Sequence, residues 1–242
     1  MLRDMLLRDE PMAMTWVGRT GEFPGWGPIS RALSETELKK ALSFKMPFLS
    51  ERYASVHYEA RLILSEAFGV KPEKIEIVQL PFSDGKTRKP FLLMDGEKWE
   101  CSLSRSGLHF ALAISNVPVG VDVEENLCFD ESFFTSSFFS GEEKKSILES
   151  SAPDRTALRM WVRKEAMLKA DGIGLLADRI DLVDSIRGRW ASSGCEWVTR
   201  DIPCGDGLCC SLALPHQASE AFSTMKVSVF APLRPSLPPL PR

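Results

Sequence analysis

Apolar and polar positions alternate along "VPVGVDVEENL", so that Val119, Val121 and Val123 fall on one side of a predicted strand and Asp122 and Glu124 on the other. Side chains two apart on a strand point the same way, roughly 7 Å apart, and like charges that close repel unless a cation lies between them. A half-buried strand with one solvated face accounts for the alternation by itself. The turn that follows is acidic too, with Glu125, and no basic residue appears until Lys144.

The other pattern is helical. In "SERYASVHYEARLILSEAFGV", Tyr53, Val56, Ala60, Ile63, Leu64 and Ala67 recur at helical spacing, with Ser50 as the expected N-cap and Gly69 as the stop. "SETELKKALSF" reads as a shorter helix. In "DRTALRMWVRKEAMLKADG", Leu158, Trp161, Val162, Ala166 and Leu168 form an apolar arc with Glu165 and Lys169 in its middle, while Arg159, Arg163 and Lys164 fall towards the solvated face. An i,i+4 Glu–Lys pair on a helix surface explains that spacing but not its place within an apolar arc, where charge needs a partner to offset desolvation. "FFSGEEKKSIL" carries a capping box, Ser140 with Glu143, which accounts for both residues as a helix start.

Strands are expected around Met14 to Val17, before the loop "RTGEFPGWGP", and in "KIEIVQLPF", "PFLLM", "WECSLSRS" and "HFALAIS". From Val119 the order partly repeats, with a strand, helices, and strands in "RWASS", "CEWVTRD", "LCCSLAL" and "MKVSVFAP". The expected class is α+β, with two similar halves joined near "SNVP" in a pseudo-two-fold monomer and the active site in the cleft between them, although no internal repeat aligns. The units are residues 1–116, 117–230 and a proline-rich tail, 231–242, read as extended or disordered.

Composition narrows the function. At 242 residues with 44% hydrophobic and 26% charged content, the chain reads as a soluble globular protein with ample core. A net charge of −3 argues against a general nucleic-acid binder. No apolar run reaches a membrane span, and acids among the leucines of "MLRDMLLRDEPMAM" are unlike a signal peptide, so a cytoplasmic location is expected. The six cysteines include no C-x-x-C pair and the histidines are His57, His109 and His216, so no zinc spacing emerges and reduced, mostly buried thiols are expected.

Asp122 and Glu124 in G-x-D-x-E, Phe139, Ser140 and Glu143 in F-S-x-x-E, and Trp161, Lys164, Glu165, Ala166 and Lys169 in W-x-x-K-E-A-x-x-K resemble, in order and spacing, the signature of the 4'-phosphopantetheinyl transferases. The likeness is to the long, surfactin-synthetase-activating type. "RKPFLLM" is similar to the G-K-P segment of that family, with Lys89 and Pro90 in register. Over residues 40–68 the likeness is general, a basic helix pair with Lys45 and Arg52, and it is faint before residue 30 and after residue 200. The chain departs from the family at S-H-S, where it has Ser104, Arg105 and Ser106, and at G-K-P, where Arg88 replaces the glycine. Both changes add positive charge.

The resemblance implies transfer of the phosphopantetheine arm of coenzyme A to a serine of an apo acyl, peptidyl or aryl carrier protein, with release of 3',5'-ADP, in fatty acid, polyketide or nonribosomal peptide biosynthesis. It implies Mg²⁺, or alternatively Mn²⁺, held by Asp122, Glu124 and Glu165. Catalysis falls to Glu165, Lys169 and Asp122, and coenzyme A contacts to Lys45, Arg52, Lys89, Pro90, Ser104, Arg105 and Lys169. No nucleic acid and no membrane are expected as partners. The alternatives are a catalytically silent coenzyme A- or carrier-binding homologue, and another Mg²⁺-dependent transferase that cleaves a pyrophosphate.

Overall fold

The computed structural model describes residues 10–79, 89–94, 96–125, 138–172, 183–192, 194–205, 207–224 and 226–230. Arg88, Asn126, Cys128 and the proline-rich tail lie outside these residues. The strands are β1 (Ala13–Arg19), β2 (Ile75–Val78), β3 (Phe91–Met94), β4 (Glu97–Ser106), β5 (His109–Ser115), β6 (Gly120–Glu125), β7 (Arg189–Ser192), β8 (Cys195–Asp201), β9 (Leu208–Pro215) and β10 (Lys226–Phe230). The helices are α1 (Trp26–Ala32), α2 (Glu35–Leu42), α3 (Pro47–Phe68), α4 (Gly141–Leu148), α5 (Pro153–Asp171) and α6 (Ala221–Thr224).

Two sheets result, ordered β10-β1-β5-β4-β3-β2 and β6-β9-β8-β7. The expected α+β class holds, and the topology repeats where the sequence does not. β1 is followed by the long α3 and a meander whose last strand, β5, returns antiparallel beside β1. β6 is followed by α5 and the meander β7-β8-β9, with β9 returning antiparallel beside β6. One element breaks the pattern: β10, late in the chain, pairs parallel with β1 in the first sheet.

Strand alternation distributes the core. Met14, Trp16, Phe110, Leu112 and Ile114 pack under α3 through Val56, Ala60, Ile63 and Leu64. The opposite positions of β1 and β5 carry small side chains, Ala13, Val17, Ala111 and Ala113, and meet Val119, Val121 and Val123 of the second sheet. The valines of the opening pattern therefore fill the seam between the sheets, and Asp122 and Glu124 take the other face of β6.

Local differences from the sequence reading have identifiable causes. α3 begins at Pro47, because proline is preset for the first helical turn and lacks the N–H that would go unpaired there. Ser50 is therefore not the cap; its hydroxyl donates to Ala41 O at 2.7 Å. Gly69 does end the helix, in the left-handed region at φ 67°. α1 occupies the end of a stretch read as loop, its first turn spanning Gly27 and Pro28. Among the described residues no helix is long and apolar enough to cross a membrane, and the five described cysteines are free thiols.

Candidate active site

α5 crosses β6 at Gly120, so close that a Cβ there would lie 2.0 Å from Ala166 O and 2.4 Å from Ala170 N. Only glycine permits this approach, and it lays Glu165 and Lys169 of the helix over the acidic face of the strand. Asp122 is buried, and its Oδ1 accepts from Lys169 Nζ at 2.6 Å and from Ser104 Oγ at 2.6 Å. Lys169 Nζ also donates to Ser104 Oγ at 2.8 Å. The serine comes from β4, so both halves contribute.

Two carboxylate oxygens of the site are unmatched. Asp122 Oδ2 and Glu165 Oε1 are buried without a hydrogen-bond partner among protein atoms. Burial pushes the Glu165 carboxyl up to about 7, with the charges of Asp122 and Glu124 adding to it against the opposing pull of Lys169. Burial also raises half-buried Glu124, against the Ser106 hydrogen bond, and Asp122 raises it further. For Lys169, burial opposes the charge, but Asp122 outweighs it and Glu165 and Glu124 add to the effect, so its pKa is raised.

Serines at alternate positions of β4 line the edge of β6. Val121 N donates to Ser102 Oγ at 3.0 Å and Glu125 N to Ser106 Oγ at 3.1 Å, with Ser104 bonded to Asp122 between them. An otherwise unpaired strand edge is thus satisfied by side chains from the other half. The alternation of Ser102, Ser104 and Ser106 in "CSLSRS" was the available sequence signal.

On the opposite face of β4, Leu103 and Arg105 meet α3 and, with Tyr53, Val56, His57 and Ser104, line a cleft of about 200 Å³. The Arg105 guanidinium lies 5.6 Å from the Tyr53 ring centroid and 5.9 Å from that of Phe44. Partial burial, and then the charge of Arg52, lower its pKa. Arg52 Nε is itself buried without a hydrogen-bond partner. Two neighbouring guanidiniums, one with an unmatched donor, suit an anion. His57, stacked on Tyr53 with ring centroids 4.1 Å apart, is held by Glu37, whose Oε1 lies 2.9 Å from its Nδ1. Glu37 also takes the Arg61 guanidinium at 2.5 Å and caps α2 through Ser34. Burial would raise Glu37, but His57, Arg61 and the Ser34 N–H hold it down at about 2. The sequence placed Tyr53 only in the apolar pattern of a helix and His57 only among the histidines, and did not single out Glu37; the S-x-x-E spacing of Ser34 and Glu37 was the signal present.

The remaining residues are spread more widely. Lys45 is exposed in the link between α2 and α3. Pro90 is half-buried before β3. Lys89 is engaged: its Nζ donates to Glu100 Oε2 at 2.8 Å and to Ala170 O, in the last turn of α5, at 3.3 Å. The expectation that Arg163 and Lys164 face solvent is corrected. Lys164 is fully buried, 2.9 Å from Glu143 Oε2, and donates to Val183 O at 2.8 Å. Arg163 forks onto both oxygens of Asp201 at 2.8 and 2.6 Å. α5 is packed on several sides, so a single solvated face does not exist along its second half. Glu143 is occupied by its capping box, Lys164 and Ser185.

Residues 118–204, which carry Asp122, Glu124, Glu165 and Lys169, match the family model of the 4'-phosphopantetheinyl transferase superfamily. The chain is also 28% identical, over 146 residues, to the 4'-phosphopantetheinyl transferase psf-1 of Bacillus pumilus, across 57% of this chain and 61% of that relative. The chain thus spans about three-fifths of the relative's length.

Among the described residues, no three His, Cys, Asp or Glu side chains are grouped so as to hold a metal ion among themselves. The donor chemistry nevertheless fits a hard divalent cation, because the unmatched oxygens of Asp122 and Glu165 are carboxylate oxygens and Glu124 lies beside them. Mg²⁺ binds through one or two carboxylates with waters and substrate phosphates, so it does not require a closed protein cage.

Proposed function

We propose that this protein transfers the 4'-phosphopantetheine moiety of coenzyme A to a serine of an apo acyl, peptidyl or aryl carrier protein, releasing 3',5'-ADP, as a monomer of the long, surfactin-synthetase-activating type. The observation that carries this reading is the pair of unmatched buried oxygens on Asp122 and Glu165, beside Lys169, within residues 118–204. Asp122, Glu124 and Glu165 would hold Mg²⁺, which when bound supplies positive charge to the pyrophosphate. Glu165 is the carboxylate that would accept the proton of the carrier serine. Lys169 holds Asp122 and Ser104 and would offer its ammonium to a phosphate oxygen. Arg52 and Arg105, with Lys45 at the rim, bind coenzyme A phosphates, and Arg105 keeps its charge where the family's histidine would lose it. The nucleophile belongs to the carrier.

Incubating the protein with an apo-acyl carrier protein, coenzyme A and Mg²⁺ should raise the carrier mass by one phosphopantetheine in intact-mass spectrometry. EDTA, Asp122→Ala or Glu165→Ala should remove most of the transfer while circular dichroism stays that of the parent. Undiminished transfer under EDTA and in both variants would overturn the metal-site reading. Tight coenzyme A binding without transfer would instead identify a silent homologue.

A further inference from the structure

Leu103 and Arg105 stand two apart on β4, and alternation turns both towards α3. Among the described residues, neither a hydrogen bond nor an ion pair fixes the Arg105 guanidinium. Two aromatic rings do so instead. Tyr53 and Phe44, with centroids 5.5 Å apart, lie 5.6 and 5.9 Å from it. A guanidinium held by ring faces keeps its N–H groups, which radiate in its own plane, for a ligand.

The Tyr53 ring is itself held from behind. His57 follows it by one turn of α3 and stacks on it, with centroids 4.1 Å apart and an interplanar angle of 28°. His57 is fixed in turn by Glu37 of α2, whose Oε1 lies 2.9 Å from Nδ1. Because the Glu37 carboxyl is held down at about 2, it is ionised and accepts, so Nδ1 carries the proton and donates. Glu37 is only 3% exposed, and its other oxygen takes the Arg61 guanidinium and the Ser34 N–H. Packing α2 on α3 does not need a buried charge, since apolar residues of similar volume serve as well or better. Setting the plane of the His57 ring does need one, because a directed acceptor fixes orientation where apolar contact does not.

We propose that Tyr53, His57 and Glu37 are positioning residues: with Phe44 they build an aromatic seat, tied to the buried charges between α2 and α3, that aims the Arg105 guanidinium at an anion in the cleft. This rests on the function proposed above, in which that anion is a phosphate of coenzyme A. The seat suits an arginine where the resembling family has histidine, because a planar cation gains from a ring face on one side while its edge meets the phosphate. Holding the guanidinium beforehand also reduces the side-chain freedom lost when the ligand arrives.

The test is calorimetric titration of coenzyme A into the parent, Tyr53→Leu, Tyr53→Phe and His57→Gln, with each substitution repeated in an Arg105→Ala background. Tyr53→Leu should weaken binding about fivefold, and Tyr53→Phe, which keeps the ring, should restore most of the affinity. His57→Gln keeps a donor for Glu37 but removes the stacked ring, and should weaken binding about threefold. In the Arg105→Ala background, neither Tyr53→Leu nor His57→Gln should weaken it further, because no guanidinium remains to be positioned. In transfer assays the KM for coenzyme A should follow these affinities while kcat stays within about twofold of the parent. Losses of equal size with and without Arg105 would make Tyr53 a direct contact of coenzyme A and overturn the seat. So would parent-like affinity in Tyr53→Leu and His57→Gln, or in Arg105→Ala, with coenzyme A binding by the parent left standing. If Tyr53→Leu does not fold, His57→Gln decides by the same comparison. No binding of coenzyme A by the parent overturns the functional reading and the seat with it.

Discussion

Glu165 shows at a single residue how burial becomes chemistry. Its ordinary value is 4.5 and its folded value about 7, raised by burial first and by Asp122 and Glu124 after it. The folded protein thus keeps a proton that the unfolded chain releases, so this group's contribution to stability is fully present below about pH 4.5 and declines as pH rises towards 7. Glu165→Gln cannot ionise, so its melting temperature should lose that part of the decline between pH 5 and 7 (roughly, the window set by the two values). Mg²⁺ favours the carboxylate and should lower the apparent pKa in the parent but not in the variant. Parallel melting curves for the two proteins across this window, with and without Mg²⁺, would show that Glu165 does not titrate there. The identities of Asp122, Glu124, Glu165 and Lys169 were legible because strand and helix periods place like positions on like faces. The burial of Lys164 and Arg163 was not, because whether a charge is solvated depends on what packs over it: Val183 and Ser185, from the segment after α5, cover that side of the helix, and Ser185 also engages Glu143, whose capping box the sequence did announce.

At the scale of elements, the site is a crossing of one strand by one helix, and Gly120 sets its distance. An added methyl at Gly120 would meet Ala166 O and Ala170 N, backbone atoms of a helix that cannot yield locally. Gly120→Ala should therefore push α5 off β6, costing more than about 2 kcal/mol and separating Lys169 from Asp122. Both the melting temperature and the transfer rate should fall. Gly141→Ala is the control, since nothing lies within 4 Å of a Cβ there and alanine is the better helix former. Equal stability of the two variants would contradict the close crossing. The glycine of G-x-D-x-E was visible in the sequence, but its reason was not, because periodicity reports which face an element presents and not how near a neighbour comes. Most element spans were legible for the same reason that their contacts were not. α3 escaped at its start, where Pro47 outweighed the cap expected from Ser50.

Across the whole molecule, two halves of like topology share a seam of valines and alanines, a serine-lined strand edge and the Lys89 contact with the end of α5. β10, within the residues 117–230 expected as one half, pairs with β1 from Met14↔Lys226 to Gly18↔Phe230. No periodicity announces such a return, because pairing between strands some two hundred residues apart leaves no local trace. The consequence can be tested by comparing a chain ended after residue 230 with one ended after residue 225. Losing β10 turns β1 into an edge strand, with backbone groups deprived of their partners in a buried setting. The shorter chain should melt about 5–10 °C lower, and its fastest-exchanging new amides should be those of β1, in the half of the protein farthest in sequence from the cut. If the two chains melt together and the β1 amides exchange alike, the parallel pairing contributes nothing. If the added exchange appears in β8 and β9 instead, β10 belongs energetically to the half that precedes it in the chain.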